Sequence, residues 1–377
     1  MKRIFSALLL CWLALTVGIP CSASEREDDE NFVIASLLVF SPSDVLYSCV
    51  GHACLRMQCP EHNLDYCFSY EGEPVEHQIL RFFAGKLKMG MLAAPTDDYL
   101  SAYAKEHRGI KQYKLNLPLE AKRRLWKILD DKMMEGLDLP YDFLTRGCAQ
   151  TTIQFLVQAL DTIPVNFAPW PEKYDKTVRE IFVECLQKDA PWNLFYLQTI
   201  VGIKVDADVP PIKRLVVPLD LVEVLQGATI EGRPIISESP QVLIKGNLNK
   251  RHTRITPIWV AVLMLLLSIT NFWFRWSPVD WLLLGLQFLL GLFLCYLVFI
   301  SSLPCTEWNW LLIPFNPLPL LLMHWRKILA TMFVAILVGW ILAMCFYPHQ
   351  LTDWAYVVLA ASLVPVFYRL RNKYKQI

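Results

Sequence analysis

Apolar and polar positions change their spacing several times between residues 31 and 254, and beyond that point polar positions become rare. Ala35–Phe40 is a short apolar run that predicts a strand, and Leu64–Tyr70 predicts another, with a turn at Glu71-Gly72. Val45–Met57 is mixed, and its small residues around His52 suit a strand lining a cleft. Ile79–Lys88 has helical spacing, as do Asp97–Glu106 and Leu119–Met134, the last opened by Pro118 and closed by Gly136. Ile110–Leu117 alternates like a half-buried strand, and Thr151–Leu160 predicts a helix that starts near Gly147-Cys148. Pro210-Pro211 and Pro240 punctuate a loop-rich run that follows. These elements define an α+β domain with its linker over residues 24–254.

Four later stretches, 256–274, 280–302, 328–347 and 351–368, are long and apolar enough to cross a hydrocarbon layer of about 30 Å. A fifth, 309–323, is interrupted by Pro314, Pro317 and Pro319 with Asn316 inside it, which predicts a kinked span or a re-entrant segment. Residues 255–377 are therefore read as an α-helical transmembrane bundle of four to five segments. At the other end, Lys2 and Arg3 precede the apolar run Phe5–Val17 and the small residues Cys21, Ser22 and Ala23. Residues 1–23 read as a secretory signal peptide cleaved after Ala23, with a retained signal anchor as the alternative.

Charge sharpens this division. The whole chain of 377 residues is nearly neutral, with 36 Lys+Arg against 35 Asp+Glu. Residues 24–254 hold 27 basic and 32 acidic side chains, whereas 255–377 hold seven and three, which excludes an ordinary soluble protein. An acidic middle with no basic run also argues against nucleic acid as a partner. If that domain is exported, five crossings put Arg275, Arg326, Lys327, Arg369 and Arg371 on the cytoplasmic side; four would leave the basic tail outside.

Two residues suggest chemistry. Cys148, in Tyr141-Asp-Phe-Leu-Thr-Arg-Gly-Cys-Ala-Gln-Thr-Thr152, falls at the first turn of a helix, where the positive end of the helix dipole favours a thiolate and backbone N–H groups can hold an oxyanion. His52, in Tyr47-Ser-Cys-Val-Gly-His-Ala-Cys-Leu-Arg56, can take the thiol proton and return it to a leaving group. Each taken alone is better explained by core packing; together they make a nucleophile–base pair. His52, Cys54, Cys59 and His62 offer soft ligands for zinc, but intervals of two, five and three match no common structural site. In an exported domain Cys59 and Cys67 could staple a hairpin around Glu61-His62-Asn63, with Cys49, Cys54 and Cys185 unassigned.

Ser43–Arg56 resembles the opening motif of the N-terminal periplasmic domain of Lnb-type bacterial lipoprotein N-acyltransferases. Asp65–Gly72, Phe82–Gly85 and Tyr141–Thr151 resemble its later blocks in order, and Leu219–Ile235 its closing segment. Where the family usually has Asn, this chain has Asp142 and Gly147. The resemblance implies a permuted papain-like cysteine fold, akin to NlpC-type and lecithin:retinol acyltransferase-like enzymes. It implies Cys148 as nucleophile and His52 as base.

The activity implied is transfer of an acyl chain from a membrane phospholipid, through a thioester, to the α-amine of diacylglyceryl-cysteine lipoproteins. It would occur on the periplasmic side of the inner membrane, without a cofactor or metal. Asp65 is the first candidate to orient His52, with Ser69 and His62 as alternatives, and Arg56 and Tyr47 are candidates for substrate contact. The aromatic run Trp192–Gly202 suits either the lipid interface or core packing. A membrane-tethered cysteine hydrolase of envelope peptides and a non-catalytic interaction module are the competing expectations.

Overall fold

The computed structural model describes residues 29–75, 77–168, 175–246, 254–321, 326–346 and 354–373; the expected signal peptide lies outside them. The run Ile34–Phe40 forms β1, and it pairs antiparallel on one side with β2, His52–Cys59, and on the other with β5, Ile110–Lys114. β3 (Leu64–Gly72), β4 (Lys88–Pro95), β6 (Leu139–Pro140) and β10 (Gln241–Ile244) complete a seven-stranded sheet of order β10-β5-β1-β2-β3-β4-β6. Val165–Asn166 (β7), Thr229–Ile230 (β8) and Arg233–Pro234 (β9) make a small second sheet. The expected helix Ile79–Lys88 is only a turn, Ile79–Phe83, before the chain enters β4. Gly85, at φ +67°, ends it, because that backbone conformation is closed to most side chains.

Both faces of the large sheet are covered, which is why β1 reads as a continuous apolar run rather than an alternating one. On one face Leu37, Leu55 and Met57 pack against α2 (Leu119–Glu135) and α3 (Cys148–Leu160). On the other, Leu38, Phe40, Cys54 and Cys67 lie under Tyr99, Leu100 and Tyr103 of α1, Thr96–Lys105. Three helices without a sequence expectation of their own follow: α4 (Val178–Leu186), α5 (Pro191–Ile200) and α6 (Pro218–Gly227).

The apolar region forms α7 (Pro257–Phe274), α8 (Ser277–Phe299), α9 (Arg326–Phe346) and α10 (Trp354–Lys373). Pro257–Phe274, Ser277–Phe299 and Ile328–Phe346 are long and apolar enough to cross a membrane; the apolar part of α10, Trp354–Leu370, is shorter. Over its described residues, 309–321, the proline-broken stretch is not a helical span. It holds one tight turn, Trp310–Leu312, and one helical turn, Leu318–Leu321. Its backbone lies against Gly291 of α8, and Gln287 turns its amide toward the Pro314 and Asn316 carbonyls at 3.4 Å. Protein cover of this kind lets irregular backbone exist at membrane depth.

The direction of each helix follows from its end contacts. Tyr356, near the start of α10, donates to the Phe195 carbonyl of α5 at 2.9 Å, beside the sheet domain. Arg369, near its end, meets Asp280 and the Asn271 carbonyl at the far end of the bundle. Phe333 packs on Phe367 at 5.0 Å, so α9 starts at that far end. The chain leaves α8 at the near end and begins α9 at the far one, so the broken stretch is itself a traverse.

The domain is docked tightly on this bundle. Phe195 stacks on Tyr356 at 4.4 Å and Trp192 donates to the Ile255 carbonyl, so the aromatic run packs on the bundle. The segment after α8 bonds to the domain through Ser302 N to Ala84 O (3.1 Å), Gly202 N to Cys305 O (2.6 Å) and Asn309 Nδ2 to Thr199 O (2.8 Å). Leu297, Leu303 and Cys305 are buried within the domain's own core.

Candidate active site

Gly51 sets the entry to β2. At φ +96°, with Phe40 O only 2.7 Å from where a Cβ would sit, it turns the chain against the end of β1 and brings His52 opposite Phe40. Cys148 opens α3, which packs across β2 and β3. The Cys148 sulfur lies beside the His52 imidazole and near the backbone N–H groups of Ala53 and Ala149. Gly147 precedes the helix in an extended conformation, φ −63° and ψ 157°, which any residue adopts. The helix start is held instead by Gln150, whose Oε1 accepts from Gly147 N at 2.9 Å and whose amide reaches the Leu144 carbonyl. Asp142 caps the preceding turn, accepting from Leu144 N at 3.0 Å and from the Thr145 hydroxyl.

Behind the imidazole lies a buried polar network. His52 Nε2 is 2.7 Å from Ser69 Oγ and 3.4 Å from Glu71 Oε1. Ser69 donates to Glu71 at 2.6 Å, Tyr99 donates to the same carboxylate, and Tyr103 OH is 3.3 Å from Tyr99 OH. The Tyr103 ring stacks on His52 at 6.3 Å, and Phe40 packs beside both.

The electrostatics reinforce an ion pair. Burial pushes the Cys148 thiol up, but the neighbouring imidazolium, its hydrogen bond and the two backbone donors hold the thiol below its ordinary value. Burial pulls His52 down, yet the Cys148 charge and the Glu71 carboxylate raise it to about 10. Burial favours a neutral Glu71, but bonds from His52, Ser69 and Tyr99 bring it down to about 2. A thiolate facing an imidazolium backed by a carboxylate is equipped for nucleophilic attack on an acyl carbon and for proton return to a leaving group.

Other expected site residues fall elsewhere. Asp65 does not reach His52: it accepts from Arg56 Nε at 2.8 Å and Nη2 at 2.5 Å, and from Gln58 and Thr96. Arg56 is therefore held by Asp65, and by Gln112 at 2.7 Å, rather than presented to a phosphate. Tyr47 is 43% exposed in a short turn over Leu46–Ser48 that touches α5. Ser69, an alternative for orienting His52, does contact it. His62 packs on Phe32 at 5.8 Å. The carboxylate on His52 is Glu71, which lies within β3 rather than in the turn expected at Glu71-Gly72; its signal is the alternation Asp65, Cys67, Ser69, Glu71 along one strand face.

The cysteines at 49, 54, 59, 67, 148, 185, 295, 305 and 345 are unbridged. Cys59 and Cys67 do not staple a hairpin, because Cys59 faces the sheet side of Met57 and Cys67 the opposite side, where its thiol meets Cys54. That split also separates Cys54 from Cys59, and among the described residues no group of His, Cys, Asp or Glu is arranged to hold a metal.

A sheet domain bearing this cysteine–histidine pair, seated on membrane-crossing helices, defines a membrane protein with a large extramembrane part. Residues 24–180 match the family described as the Lnb N-terminal periplasmic domain, which supports an Lnb-type family for this chain, and the C-terminal helices fit a membrane bundle. The match runs from before β1 into the first residues of α4 and so contains both His52 and Cys148. No curated protein and no solved structure matches the chain.

Proposed function

We propose that this protein is a cysteine-dependent acyltransferase that moves a fatty acyl chain from a phospholipid to the α-amine of diacylglyceryl-cysteine lipoproteins. The observation that carries the reading is the Cys148–His52 pair, backed by Ser69 and Glu71, in a domain docked on the membrane helices. The order of its parts supports a permuted papain-like domain, with histidine on a strand ahead of a cysteine-bearing helix.

In the first half-reaction the Cys148 thiolate attacks an ester carbonyl of the phospholipid. The C–S bond forms, the ester C–O bond breaks, and His52 gives its proton to the departing lysolipid alkoxide. First-turn N–H groups of α3 would stabilise the oxyanion that develops. In the second, the lipoprotein amine attacks the thioester: C–N forms, C–S breaks, and the amine's proton passes to His52. Both substrates are lipid-anchored, so a site fixed to the bundle turns a search in volume into a local encounter. Apolar cover also keeps water from the thioester.

With the domain on the periplasmic side of the inner membrane, the far end of the bundle, bearing Arg275, Arg326 and Arg369, lies in the cytoplasm, in keeping with the positive-inside tendency. The test is mass spectrometry of a reporter lipoprotein's N-terminal peptide in cells with and without the gene. An additional N-linked acyl group that requires the gene, and is lost in both Cys148→Ala and His52→Ala at unchanged protein level, is expected. An N-terminus identical in all four strains would overturn the proposal.

A further inference from the structure

We infer that the helical turn Ile79–Phe83 is an interfacial lipid contact, dipped into the outer edge of the bilayer and lining the approach of an acyl chain to Cys148; this rests on the acyltransferase reading. Ile79 is 49% and Leu80 80% exposed, an unusual placement for two adjacent large aliphatic side chains, with Lys86 and the Arg81–Glu73 ion pair beside them.

The level of the turn is fixed by the helix beside it. Phe83 meets Phe293 of α8 edge-on at 5.1 Å, and Ala84 O accepts from Ser302 N. α8 keeps exposing apolar side chains beyond that contact, Phe299 at 74% and then Ile300 at 69%. Apolar surface of the bundle therefore extends past the height of Phe293, and a turn packed on Phe293 lies within the same band. Exposed aliphatic residues flanked by charged side chains at the boundary are the pattern of an element that buries its apolar side in acyl chains and leaves its charged groups at headgroup level.

The inner side of the turn leads to the nucleophile. Phe82 packs on Tyr141 at 5.6 Å, and Tyr141 lies close enough to Cys148 for the thiolate charge to act on its phenol. One short element thus joins lipid-exposed aliphatic residues to the wall of the site.

The test places a benzophenone amino acid at position 80, or at position 64 on the hairpin end opposite His52, in the full chain. Each protein is reconstituted in vesicles of phosphatidylethanolamine and phosphatidylglycerol, irradiated and weighed by mass spectrometry. Phospholipid adducts at position 80 and none at 64 are expected, in wild type and Cys148→Ala alike. No adduct at 80, or equal adducts at both positions, overturns the inference. In parallel, Leu80→Asp is expected to slow acyl-thioester formation on Cys148 about tenfold, whereas Leu80→Met retains it. The two readings fail separately. Adducts at position 80 with no gene-dependent N-acylation sink only the acyltransferase proposal; N-acylation without those adducts sinks only this one.

Discussion

Glu71 stands across the sheet from His52, its Oε1 3.4 Å from Nε2 with Ser69 bridging the two. The paired register of β2 and β3, with Leu55 opposite Phe68 and Cys59 opposite Leu64, carries on to set these two residues level. A carboxylate so placed fixes the ring and favours its protonated form.

Removing that charge should therefore narrow the pH range in which thiolate and imidazolium coexist. In Glu71→Gln, His52 loses part of what raises it to about 10, so the alkaline limb of Cys148 reactivity moves to lower pH. Cys148, facing a weaker imidazolium, moves back toward its ordinary value, and the acid limb moves to higher pH. Peptide-resolved alkylation rates from pH 5 to 10 measure both limbs, with about a tenfold loss expected at neutral pH. Unmoved limbs would leave Glu71 without an electrostatic role.

Stability carries a matching signature on the acid side. A carboxylate lowered from 4.5 to about 2 contributes stability that is fully present above pH 4.5 and is lost as pH falls through about 2. Thermal melts of the wild-type protein should decline across that window more steeply than those of Glu71→Gln.

Asp65→Asn separates the two acidic candidates. Asp65 serves Arg56, with its side chain 37% exposed, so about 1 kcal/mol or less of stability is at stake. The melting temperature should fall slightly while the alkylation profile of Cys148 stays that of wild type. A shifted profile would mean that Asp65 acts on the imidazole after all.

Gly85→Ala tests docking. Its φ of +67° disfavours a side chain, and an added Cβ would meet Leu303 N at 2.5 Å and the Ser302 backbone. A cost of about 1–3 kcal/mol is expected, concentrated at the contact with the segment after α8. Hydrogen exchange should quicken at Ser302, which bonds to Ala84, and lipid-dependent thioester formation should drop while small-molecule alkylation of Cys148 persists.

Sidedness is testable through the C-terminus. Tyr356 lies by the domain and Arg369 at the opposite end, so a reporter fused after residue 377 should be active if it is a cytoplasmic fluorescent protein and inactive if it is alkaline phosphatase. The reverse pattern would refute the traverse by the proline-broken stretch.

What was readable in the sequence was what local spacing controls. The apolar run of β1, the period of α1 and α2, and the start of α3 at Cys148 all follow from contacts within a few residues. The partner of His52 is not local: it depends on a hairpin register set around Pro60–Asn63, and Asp65 is nearer in sequence but pairs with Gln58, six positions from the histidine's level. Ile79–Lys88 had helical spacing, yet Gly85 and the seat for β4 beside β3 cut it to one turn. The prolines at 314, 317 and 319 signalled an interruption; that the gap is roofed by Gly291 and Gln287 of α8 required three-dimensional packing.

Leu297, Leu303 and Cys305 sit in the interior of the sheet domain although they are encoded far downstream of it, within and just after a membrane helix. The natural seam for recombination is therefore not the linker near residue 254. A chimera joining this N-terminal half to another protein's anchor would inherit a hole where those three side chains belong, unless the graft also brought the stretch that follows α8.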